Sequence, residues 1–191
     1  MPMIRGSVTQ KGFQLVELFI LVIVVTLLVA VAGTQFRSTP EDTKNSMLET
    51  TLVRVRSAIA LYFQHHGKYP GELTAISPAC AATTGTGTGG VGAQGAQAFL
   101  DQLSMYTDAD GGACSVKDAN FEYGPYLKKS TLPENPVTSV AALEVINKGE
   151  VLIPGTGANL GWKYDIFVGK FIANDTTDPD GAGPEISYDQ R

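Results

Sequence analysis

The sequence predicts an α+β protein in which a long N-terminal helix packs on a small C-terminal antiparallel β-sheet. The first half of that helix is expected to span a membrane and the second half to be amphipathic. Three observations predict it. Leu18 to Phe36 runs without a charge, a second segment repeats apolar residues at helical spacing, and the C-terminal third alternates with period two. The 191 residues allow one domain with an appendage and are too few for a full barrel enzyme.

Charge divides the chain in the same place. The first 38 residues hold Arg5, Lys11 and Arg37 against Glu17, whereas the rest hold 11 bases against 18 acids. A basic, oily head on an acidic body points to a membrane for the head and an aqueous compartment for the body. The overall charge of −5 excludes the concentrated basic patch of a nucleic-acid binder.

The head admits two readings. About 20 apolar residues cross the ~30 Å hydrocarbon core, and Arg5 and Lys11 before them would keep the N-terminus cytoplasmic. Alternatively, Ala30-Val31-Ala32 offers a signal-peptidase site that would release a secreted calcium- or ligand-binding module beginning at Gly33. Glu17 distinguishes the two. A carboxylate among apolar side chains is costly and signals function when a partner can be named. Cleavage after Gly12 would create that partner, the α-amino group of Phe13, one helical turn from Glu17.

Lys11-Gly12-Phe13-Gln14-Leu15-Val16-Glu17-Leu18, after a short basic leader and before an apolar run, resembles the type IV prepilin signature. The resemblance implies cleavage between Gly12 and Phe13 by a prepilin peptidase, N-methylation of Phe13, and a role for Glu17 in subunit assembly. It divides the chain into a leader (1–12), a transmembrane and filament-core helix (13–38) and a periplasmic globular domain (39–191).

The second helix is expected over 39–66. Thr39 reads as its N-cap and Pro40 as its first helical residue, with Glu41 and Asp42 in the first turn. Pro40 also disfavours helical geometry at Thr39, so a helix continuous from the head would kink or break there. Leu48, Leu52, Val55, Ile59 and Tyr62 form one apolar stripe, and Gly67 with Pro70 ends the helix.

Residues 83–97 are rich in Gly, Thr and Ala and are expected to form a flexible surface loop. Gly85, Gly87 and Gly90 match a dinucleotide-binding spacing, but no apolar strand precedes them to aim their amides at a phosphate. A short packing helix is expected over Ala98 to Tyr106. The sheet is expected within 140–191. Leu143–Ile146 and Glu150–Ile153 would form a hairpin about Asn147-Lys148-Gly149, and Trp162 to Val168 would turn through Gly169-Lys170 into Phe171-Ile172-Ala173.

Gly67-Lys68-Tyr69-Pro70, Tyr126-Leu127-Lys128-Lys129, Leu132-Pro133-Glu134-Asn135-Pro136, the late Trp/Tyr strand and the acidic tail are similar to those of G-type major pseudopilins of type II secretion. That likeness implies a structural filament subunit and no enzyme. Its partners would be copies of itself, minor pseudopilins, an inner-membrane assembly platform and the prepilin peptidase. Its expected place is the bacterial inner membrane as a single-pass protein, with the globular domain in the periplasm and then in the filament. A type IV pilus subunit is the neighbouring alternative.

Asp175, Asp178 and Asp180 crowd one tail segment, and the same likeness implies structural Ca²⁺ there; a solvated Asp-Pro/Asp-Gly turn is the alternative. Cys80 and Cys114 are the only cysteines and are expected to pair in an oxidising compartment, with two free thiols as the alternative. The adjacent His65 and His66 point about 100° apart on a helix, which suits no shared ion. Catalysis finds no motif: H-E-x-x-H, G-x-S-x-G and Cys-x-x-Cys are all missing.

Overall fold

The structure is a computed structural model that describes residues 13–35, 40–149 and 161–175, with side chains over 15–26, 43–149 and 161–175. Three helices are present among them: α1 (Phe13–Gln35), α2 (Pro40–His66) and α3 (Gly92–Ser104). The strands are β1 (Tyr106–Thr107), β2 (Ala113–Cys114), β3 (Leu143–Ile146), β4 (Trp162–Asp165) and β5 (Lys170–Ala173). The chain divides into two compact units, one ending at Asp42 and the other beginning at Thr43.

Two expectations are corrected here. The long N-terminal helix is absent among the described residues: α1 ends at Gln35 and a separate helix starts at Pro40. A proline at the start of α2 donates no N–H and restricts the residue before it, which favours a new helix over a continued one. The second correction concerns localisation. Among the described residues no helix is long and apolar enough to cross a membrane, which overturns the single-pass inner-membrane placement.

In the second unit, α2 buries its stripe as the spacing requires. Leu48, Leu52, Val55, Ile59 and Tyr62 are all buried, and their core also holds Phe99 and Leu103 of α3, Trp162 and Tyr164 of β4, and Phe171 of β5. The Trp162 and Phe171 rings stack with centroids 5.3 Å apart, and Trp162 Nε1 donates to the Pro133 carbonyl at 2.9 Å. That bond satisfies the one polar atom of an otherwise apolar side chain. Gly67, at φ 64°, closes α2 by donating its N–H to the Phe63 carbonyl at 2.8 Å.

The sheet departs from the antiparallel expectation. β4 is central, pairs antiparallel with β5, and pairs parallel with β3. The expected hairpin partner of β3, Glu150–Ile153, lies outside the described residues. Asp165 explains the parallel register. Its carboxylate accepts from Gly149 N–H and Phe167 N–H, each at 2.8 Å, so the exits of β3 and β4 meet at one end of the sheet. Two strands whose C-terminal ends are tied together in this way run in the same direction.

The glycine-rich segment is packed, not a flexible surface loop. A Cβ at Gly87 would lie 2.0 Å from the Ala98 backbone nitrogen, and one at Gly85 would lie 2.7 Å from Ala75. Close approach of this kind admits only glycine. Two features hold the segment there. Gly87 accepts from Ala75 N–H at 2.8 Å, and the Asp101 carboxylate accepts from Thr86 N–H at 2.7 Å and Gly87 N–H at 3.1 Å. α3 consequently starts at Gly92, inside the segment read as loop, and not at Ala98.

Asp101 is 4% exposed, and Gln97 Nε2 also donates to it at 2.8 Å. Replacing it with Ala would leave the buried Gly87 N–H unsatisfied, at about 1–3 kcal/mol, and would release Thr86 N–H and Gln97 as well. Asp101→Ala is expected to lower unfolding free energy in urea by about 2–4 kcal/mol. A midpoint unchanged from wild type would show that these bonds do not hold the segment.

Candidate functional site

α1 is oily because its residues leave it no alternative: from Leu15 to Val25 every described side chain but Glu17 is hydrocarbon or aromatic. Ten of these large apolar residues are between 47% and 69% exposed. Thr26 does not interrupt the surface, because its hydroxyl turns back to donate to the Val22 and Ile23 carbonyls at 2.9 and 2.8 Å. Soluble monomers rarely leave a contiguous apolar patch of this extent uncovered.

Glu17 is the one charge on this surface, exposed and without an ion pair among the described residues. Phe13 is the first residue of α1 and stands one turn before it, although the Phe13 side chain and Gly12 lie outside the described residues. Ala32 and Gly33 lie within α1, where only the backbone is described.

Cys80 and Cys114 form a disulfide with Cα atoms 5.5 Å apart. Cys114 belongs to β2, and its bridge to Thr84 places the glycine-rich segment inside the closed loop. A loop of 34 residues is worth roughly 3–4 kcal/mol in the chain-entropy model.

Of the three tail carboxylates read as metal ligands, Asp175 follows β5, while Asp178 and Asp180 lie outside the described residues. Among the described residues no group of three His, Cys, Asp or Glu is arranged to hold an ion.

A polar cluster that the sequence did not announce sits at the C-terminal end of α2. His65 Nδ1 lies 2.9 Å from the Tyr126 hydroxyl, and His66 Nε2 lies 3.2 Å from the same oxygen and 3.0 Å from Thr107 Oγ1. His66 Nδ1 faces the Ala109 carbonyl at 3.4 Å, which assigns the proton to Nδ1 and makes Nε2 the acceptor for the hydroxyls. The adjacent histidines therefore converge on one phenol supplied by a distant segment. Tyr62 and Tyr123 complete the cluster, 4.2 and 5.2 Å from the His66 ring centroid.

Burial, the largest influence, holds His66 below the ordinary imidazole value, assisted by His65 and opposed by the Ala109 carbonyl and Asp108. Burial likewise raises the Tyr126 phenol. Burial thus favours a neutral His66 ring and an un-ionised Tyr126 phenol. The cluster's geometry is that of a hydrogen-bonded staple between α2 and the 107–126 segment.

No protein-family model, curated protein or solved structure matches the chain.

The depressed His66 value fixes the sign of a pH effect. The unfolded chain binds a proton near pH 6.5 that the fold resists, so this contribution is present above pH 6.5 and is lost as pH falls below it. Urea unfolding at pH 7.5 and 5.5 should show lower stability at 5.5, with a smaller difference in His66→Gln. An equal difference in the variant would remove His66 as the cause.

Proposed function

We propose that the chain is a pilin-like filament subunit, a major pseudopilin of a type II secretion apparatus, that polymerises through α1. The observation that carries this reading is the apolar surface of α1 with its single carboxylate at Glu17. Such a surface requires cover, and copies of the same helix supply it. Burial of hydrocarbon gives cohesion without direction. A lone acid that must find a cation gives register, acting through specificity more than net stability.

The cation is the α-amino group that cleavage between Gly12 and Phe13 exposes, N-methylated and still positively charged. A prepilin-type peptidase is the partner for that cut, with minor pseudopilins and an assembly platform as partners in polymerisation. Calcium enters only through Asp175, Asp178 and Asp180, and no step of assembly depends on it. The disulfide-closed body supports an oxidising destination for the folded unit.

Glu17→Ala is the test. Assembled protein should fall below detection by negative-stain microscopy, while the urea midpoint of the body stays that of wild type. Normal filaments from Glu17→Ala would refute the assembly role.

A further inference from the structure

A second surface carries an inference of its own. Between α2 and the 127–133 segment lies a groove of about 220 Å³. Its floor is apolar, made by the buried Val55, Leu127 and Leu132. Its rim is cationic, made by Arg54, Lys128 and Lys129, all exposed and none in an ion pair among the described residues. No carboxylate lines it. Arg56, by contrast, is committed to the fold through a 3.0 Å bond to the Phe171 carbonyl. Three uncompensated cations around an apolar floor are unusual on a body that carries 18 acids against 11 bases.

The complementary surface lies beside the C-terminal end of α2. Asp110, Asp118 and Glu122 are exposed on the segment that follows β1, with Lys117 as the only base among them. The Asp118 carboxylate is occupied by Asn120 and Phe121 N–H, at 2.7 and 3.1 Å, whereas Asp110 and Glu122 form no ion pair among the described residues. His66 and Ala109 fix this segment against the last turn of α2. Arg54 stands on the same helix about 18 Å earlier at 1.5 Å per residue. Within one molecule Asp110 and Glu122 pair with none of Arg54, Lys128 and Lys129 among the described residues.

We propose that the groove receives the acidic 110–122 segment of a second copy of this chain, displaced along the α2 direction. The contact is heterologous, joining different surfaces on the two copies, and a contact of that kind extends into an open filament when its rotation does not close. Arg54, Lys128 and Lys129 meet Asp110 and Glu122, and the apolar floor removes water from around the pairs. The inference rests on the filament reading and adds to it a lateral contact between bodies, independent of α1. An exposed charge contact of this kind weakens with salt.

The test uses filaments of the full chain grown from equal parts of ¹⁴N- and ¹⁵N-labelled protein and joined with a zero-length carbodiimide. Peptides linking Lys128 or Lys129 to Asp110 or Glu122 should appear with mixed isotopes, and their yield should fall as salt rises. Filaments that give no mixed-isotope link at these residues overturn the groove proposal and leave the α1 reading standing. Absence of filaments in every condition overturns both. A second arm guards against failure of the coupling chemistry. Arg54→Glu, Lys128→Glu and Lys129→Glu together should raise the concentration needed for assembly about tenfold. Adding Asp110→Lys and Glu122→Lys to that chain should restore it; persistent loss in protein that melts like wild type overturns the contact.

Discussion

An exposed helix of hydrocarbon must be covered by something, and the account of this protein depends on what covers α1. From Leu15 to Val25 the helix offers no polar group to water except Glu17, and Thr26 spends its hydroxyl on its own backbone. Non-directional burial would hold such helices together in any register. A single acid removes that freedom, because only arrangements that supply it with a cation avoid leaving a charge stranded in an apolar setting. On the proposed reading, removal of residues 1–12 would supply that cation as a chain end one turn away.

The second unit meets a different constraint. Its sheets are short, so its stability comes from large aromatic side chains packed on the α2 stripe and from buried polar groups that anchor loops. Asp101 holds the glycine-rich segment, Asp165 ties the exits of β3 and β4, and Gln102 spans Gly71 N–H and the Gly111 carbonyl at 2.7 and 2.9 Å. Each replaces a backbone partner that a longer strand would have provided. The disulfide between Cys80 and Cys114 closes the loop that holds the glycine-rich segment, α3 and β1.

The helical stripe from Leu48 to Tyr62 was readable because a period of 3.6 survives any tertiary context, and Pro40 and Gly67 act through local backbone geometry alone. The β4 strand was readable for a similar reason, since Trp162 and Tyr164 alternate with polar neighbours. The parallel pairing of β3 was not. It depends on a carboxylate, Asp165, reaching main-chain groups 16 and 17 residues away. The glycine-rich segment misled because glycine serves both flexible loops and tight packing, and only the neighbours Ala75 and Ala98 distinguish them. The histidine cluster was invisible because Thr107 and Tyr126 approach from elsewhere in the chain. At α1 the composition was plain, yet the expected continuity into α2 fails, because a separate helix begins at Pro40, and among the described residues no helix is long and apolar enough to cross a membrane.

Whether α1 is covered by other copies through a newly made chain end is decided at residue 13. Protein recovered from assembled filaments, taken to intact mass and N-terminal fragmentation, should begin at a methylated Phe13. Filament protein that still carries residues 1–12, or a free chain beginning at Gly33, would contradict the account.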